Sequence, residues 1–143
     1  MGEDIFEVKK WIQYAQEDYI SAVARAKVVG NPYSPRQVCY DCQQAAEKIL
    51  KAYTIAKDGT RNKEHRLDVL LISCRQYSDD FDVLGVACST LNEHITKTRY
   101  PSDKEITVED MNDALKCAGD IMEFTKSKLA EMGFEVNPKD VPI

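Results

Sequence analysis

Apolar residues recur along this chain at steps of three and four almost from end to end, and no segment alternates with period two between turn signals. That rhythm predicts helices throughout and no strands. In the first predicted helix Ile5, Val8, Ile12, Ala15, Tyr19, Ala22 and Ala26 define one inward face. Asp4 with Glu7 forms a capping pair at its start, and Gly30-Asn31-Pro32 closes it. The second helix opens on Ser34-Pro35-Arg36-Gln37, with Ser at the N-cap, Pro at the first helical position and Gln at the third. Val38, Cys42, Ala45, Ile49 and Ala52 make its stripe, widened by Ala46, Leu50 and Tyr53, until Asp58-Gly59-Thr60.

A shorter helix is predicted from His65 to Arg75, with Leu67, Leu70, Leu71 and Cys74 inward. Ser78-Asp79-Asp80 opens a fourth, its acidic residues matching the positive end of the helix dipole. Phe81, Leu84, Cys88, Leu91 and Ile95 form its stripe, and Tyr100-Pro101 stops it. Thr107 caps a fifth, with Asp110 as a weaker capping-box partner. From Val108 to Leu129 the period holds, and Gly133 ends it. The expected architecture is all-α, an up-and-down bundle of four to five helices over residues 1–132, with 133–143 as a C-terminal tail.

Composition changes this picture little. A chain of 143 residues is one domain, able to bury about two-thirds of its unfolded surface. No apolar run approaches the length of a membrane span. The N-terminus has neither a basic nor an apolar signal region, and Phe6 stands where myristoylation wants Ser or Thr. Five cysteines, an odd number, fit reduced thiols in the cytoplasm. Charge is more informative. The net −5 is unevenly spread, +3 over residues 35–66 and −7 over residues 77–143, with the remaining −1 elsewhere. An acidic chain is a poor nonspecific nucleic-acid binder, yet its basic half offers a modest face to phosphate, and the contrast suits self-association.

Candidate chemistry is sparse. Cys39-x-x-Cys42 lacks a second ligand pair at zinc spacing and lacks the βαβ setting of a redox motif, so core packing accounts for it. No metal site, cofactor or glycine-rich phosphate loop is expected. Gln43, Glu47 and Lys51 align at intervals of four, with Gln44 and Lys48 beside them, and read from these residues alone as a solvated helix face. His65 fits a cap or first-turn position, and His94 a surface or packing one. Thr98-Arg99-Tyr100-Pro101 places an arginine at a helix C-terminus, where the dipole favours it. A phosphate-binding arginine beside a stacking ring is the functional counterpart.

Three stretches together give the chain a family resemblance. Trp11-x-x-x-Ala15-x-x-Asp18-x-x-x-Ala22, the run Cys42-Gln43-Gln44-Ala45-Ala46-Glu47-Lys48-Ile49-Leu50-Lys51-Ala52, and Arg99-Tyr100-Pro101 resemble HEPN proteins in this order. His65-x-x-x-x-Leu70-Leu71 and the alanines from Ala114 through Ala118 extend the likeness over residues 8–130. The resemblance implies a homodimeric bundle linked to nucleotides or RNA, often paired with a minimal nucleotidyltransferase in a toxin–antitoxin context. Some such proteins are metal-independent ribonucleases carrying Arg followed, after four to six residues, by His. This sequence departs from that pattern. No His follows Arg99; Ala87, Cys88 and Ser89 occupy the Arg positions for His94, and Asp58, Gly59 and Thr60 those for His65. The expectation is a noncatalytic module that binds a nucleotide or a nucleotidyltransferase partner. Its expected polar site is Asp18, Gln44, Glu47, Lys48, Lys51, Arg99 and Tyr100. In it Arg99 and Lys51 contact phosphate, Tyr100 stacks, and the acidic residues orient the basic ones. The alternatives are a ribonuclease pairing Arg99 with Glu105, His65 or His94 as base, and a purely structural dimeric interaction protein.

Overall fold

A computed structural model describes residues 2–28, 34–99 and 105–135, with backbone alone at residues 2, 3, 34 and 95–99. Among the described residues five α-helices occur: α1 (Gly2–Ala26), α2 (Ser34–Asp58), α3 (Leu67–Arg75), α4 (Gly85–Arg99) and α5 (Val108–Glu131). A 3-10 segment, Asp79–Leu84, leads into α4, with Ser78 accepting the Asp80 N–H. The predicted fourth helix therefore begins with tighter winding, as is common at helix N-termini. No described helix is long and apolar enough to cross a membrane.

The second helix is the axis of the bundle, touching all four others. Its small residues, Cys42, Ala45, Ala46 and Ala52, are fully buried and let its neighbours approach closely. Polar pairs fix α1 antiparallel to it. From the start of α1 to its end, Asp4 and Glu7 bind Arg61, Trp11 faces Lys51, Asp18 binds Lys48, and Arg25 binds Asp41. On the far side Phe81 wedges between Tyr53 of α2 and Phe124 of α5, its ring 4.6 and 5.1 Å from theirs.

Two expectations at helix starts are corrected. Asp4 is not the start of α1, which already begins at Gly2, and the Asp4 and Glu7 carboxylates reach Arg61 just beyond α2. Ile5, expected inward, is half exposed. The third helix begins at Leu67 rather than His65, and its N-cap residue Arg66 gives no side-chain cap. Other signals hold. Thr107 and Asp110 form the full reciprocal box. Gly59 turns at φ +76° after α2. Gly133 at φ +93° lets its own N–H and that of Phe134 return to Ala130 and Leu129, a Schellman end. The expected stops at Gly30-Asn31-Pro32 and Tyr100-Pro101, the Ser34 side-chain cap, the Ile95 side chain and the tail from 136 lie outside the described residues.

Candidate functional site

The face of α2 read as solvated is buried. Gln43, Glu47 and Lys51 are 1%, 5% and 6% exposed, because α1 and the segment before α3 both close over it. Spacing by four cannot reveal this: it aligns side chains without saying what lies opposite. Burial then imposes full hydrogen bonding. Lys51 Nζ donates to Glu47 Oε2 at 3.0 Å, and Gln43 Nε2 donates to Glu47 Oε1 at 3.3 Å. Gln44 Nε2 donates in turn to Gln43 Oε1 at 3.0 Å. The Lys51 ammonium also lies 5.8 Å from the Trp11 ring centroid, within cation–π range.

This ladder ends on His65, which the sequence offers as a cap or an alternative base but not as a member of the expected polar site. His65 Nδ1 lies 3.1 Å from Glu47 Oε2, and Gln43 Nε2 also donates to the His65 carbonyl at 3.1 Å. A carboxylate only accepts, so Nδ1 carries a proton and Nε2 is the ring's remaining polar atom. The loop is set by its own side chains. Asn62 Oδ1 accepts the Glu64 N–H, and Glu64 Oε1 accepts those of His65 and Arg66. The imidazole itself stays 67% exposed.

The structure thus brings Asp18, Gln44, Glu47, Lys48 and Lys51 together along one side of α2, and adds Gln43, Trp11 and His65. Within the group, Lys48 Nζ is held by Asp18 at 2.6 Å. The side chain of Arg99 and all of Tyr100 lie outside the described residues. The backbone of Arg99 is placed by α4, whose Asn92 joins the neighbourhood of His65. Asn92 Oδ1 accepts the Leu67 N–H, and its Nδ2 donates to Asp68. Seven residues further along that helix is about 10 Å.

Three other features frame this site. His94 is buried, with no hydrogen-bond partner on either ring nitrogen among the described residues, and its Nδ1 is 4.0 Å from Asp110 Oδ1. Asp41, at the far end of the α1–α2 interface, has its pKa raised above the ordinary value. Burial outweighs the Arg25 guanidinium beside it. A depression of about 470 Å³ lined by Val83, Leu84, Asp120, Glu123, Phe124 and Ser127 lies on the opposite side of the bundle. Its two carboxylates repel phosphate. Among the described residues no group of three or more His, Cys, Asp or Glu side chains is arranged to hold a metal ion. Cys39 and Cys42 are buried and outside any disulfide, and Cys39 Sγ donates to the Asp110 carbonyl at 3.9 Å.

The family profile described as HEPN domain matches residues 8–129. The crystal structure of TT1696 from Thermus thermophilus is similar at a TM-score of 0.73 and 24% identity, over 85% of this chain and 97% of that one. ST0689, an archaeal HEPN homologue, is similar at a TM-score of 0.66 and 23% identity, over 85% and 96%. At these identities the two structures speak for the fold. No curated protein matches the chain.

Proposed function

The chain belongs to the HEPN domain family, and from that premise we propose that it is a noncatalytic, homodimeric HEPN module binding a nucleotide, a nucleotidyltransferase partner, or both. The observation that carries this reading is the hydrogen-bonded strip on α2. Gln43, Gln44, Glu47 and Lys51 form one connected network that ends at an exposed imidazole, within the basic part of an otherwise acidic chain. Such a network is rigid, because every member is held by another. A rigid polar strip beside a basic segment suits a ligand carrying phosphate. The noncatalytic part rests on sequence. No His follows Arg99, so the Arg–His spacing of the family's ribonucleases is absent, and such a reaction needs a group to take the 2′-hydroxyl proton.

Isothermal titration of the purified chain with ATP, GTP and a short RNA at stated salt tests the reading. Saturable nucleotide binding weakened in Arg99→Ala is the expected result. Binding unchanged by Arg99→Ala removes Arg99 from the site. No binding of any of the three leaves a protein partner as the ligand, tested next with a minimal nucleotidyltransferase. Sedimentation equilibrium should give about twice the 16.2 kDa chain mass; a monomer at micromolar concentration would contradict the dimer.

A further inference from the structure

We propose that His65 is a phosphate-receiving residue of this site, and that the buried ladder exists to present its ring. The inference rests on the nucleotide-binding reading and names the contact within it.

The first argument is the way His65 is held. A loop that only needed anchoring to α2 would be served by Gln43 donating to the His65 carbonyl. Here a second buried side chain, Glu47, holds the ring itself through Nδ1, although that ring is two-thirds exposed. Ordering an exposed side chain costs entropy without burying it, so the arrangement is better explained by what the ring presents. With Nδ1 engaged, Nε2 is the remaining polar atom of a ring that is two-thirds exposed.

The second argument is elimination among the nearby cations. Lys51 was the expected phosphate contact, but its ammonium is buried and bonded to Glu47. Lys48 is tied to Asp18, and Arg61 to Asp4 and Glu7. Drawing any of them away would break an interhelical pair or empty a buried one. Arg66, next to His65, is paired with Asp68 only in an exposed contact, which costs little to exchange.

The third argument is charge. Lys51 offsets Glu47 and Arg66 offsets Glu64, so a ring that takes up a proton with the incoming phosphate cancels the remaining charge of Asp68. Its Nε2–H then donates to a phosphate oxygen while Nδ1–H stays with Glu47, a charge-assisted bond at one end and a fixed tautomer at the other. The charged groups around the ring are Glu47 and Lys51 of α2, Glu64 and Arg66 of the loop, and Asp68 of α3. The ligand class is a nucleotide with a terminal phosphate.

The test compares the full-length chain with His65→Ala, which removes an exposed ring and one of the three donors to Glu47 but no apolar core side chain, by calorimetric titration with ATP and with adenosine. The chain has two histidines, so ring ¹⁵N spectra assign easily and are recorded alongside. ATP affinity falling roughly tenfold in His65→Ala, adenosine affinity unchanged, and His65 resonances moving on ATP addition while those of buried His94 stay fixed, support the proposal. If ATP binds both proteins equally and the His65 ring is unmoved, the proposal is overturned while nucleotide binding stands. If the wild-type chain binds no nucleotide, the underlying reading fails and this contact with it. Cleavage of a short RNA by the wild type but not by His65→Ala would also overturn it, by assigning the ring to proton transfer.

Discussion

Glu47 is a carboxyl group in a nearly dry position, and isolated burial of such a group costs several kcal/mol. Its three donors, from Gln43, Lys51 and His65, offset that cost. Lys51 depends on Glu47 in return, so removing one partner strands the other. Glu47→Leu is expected to lose about 3 kcal/mol of stability. Lys51→Met in the same chain should recover most of it, because a well-packed apolar pair replaces a buried ionic one at little net cost. Urea unfolding of the two single variants and the double measures this. Additive losses would mean the two residues do not act as a pair. Asp41 makes a pH-dependent case. Burial raises its pKa in the folded state despite Arg25, so the folded chain holds this proton more tightly than the unfolded one. Its contribution is full below the unfolded value near 3.8 and is lost as pH rises through the folded one. Asp41→Asn should therefore raise the urea midpoint at pH 7 and lose that advantage in acid. A lowered midpoint at pH 7 would show that the Arg25 pair contributes more than burial takes away.

At the scale of helices, ends were more legible than partners. Thr107 with Asp110, Gly59 and Gly133 are local devices. Each uses backbone within a few residues, so sequence alone specifies them. Thr107→Ala removes the acceptor for the Asp110 N–H and should cost about 1 kcal/mol, read as a drop in thermal midpoint. No change would mean water replaces the cap without loss. Asp4 and Glu7 show where local reading fails. Their spacing matches a capping pair, but their partner Arg61 stands more than fifty residues away, and nothing near them in sequence announces it. The same limit shifted the third helix. Gln43 and Glu47 hold His65 in the loop, so α3 starts two residues after it. The site was legible in part for this reason. The i, i+4 alignment of Gln43, Glu47 and Lys51 could be read directly, whereas their burial and their hold on His65 depend on which helix covers them.

At the scale of the molecule, one fact organises the rest: α2 is surrounded. From Cys42 to Ile55 no residue of α2 is exposed, and apolar or small residues around most of that stretch are the sequence signal that its polar strip is interior. The cysteines test that enclosure. Cys39, Cys42, Cys74 and Cys88 are buried, and Cys117 is only partly covered. Burial pushes the thiols of Cys42 and Cys74 far above their usual range and that of Cys88 to about 12. Reaction requires a thiolate and access, and these residues have neither at neutral pH. Their positions on α2, α3 and α4 span the core, so exposing them requires the bundle to come apart as a unit. In native buffer near neutral pH, an aromatic disulfide reagent should therefore modify Cys117 slowly and no other thiol, and all five should react in urea. The slow thiols should become reactive at the same urea concentration at which helical circular dichroism is lost. If Cys39 or Cys42 reacted well before that transition, the N-terminal half of α2 would open independently of the bundle. The strip that begins at Gln43 would then be less rigidly held than its hydrogen bonds require.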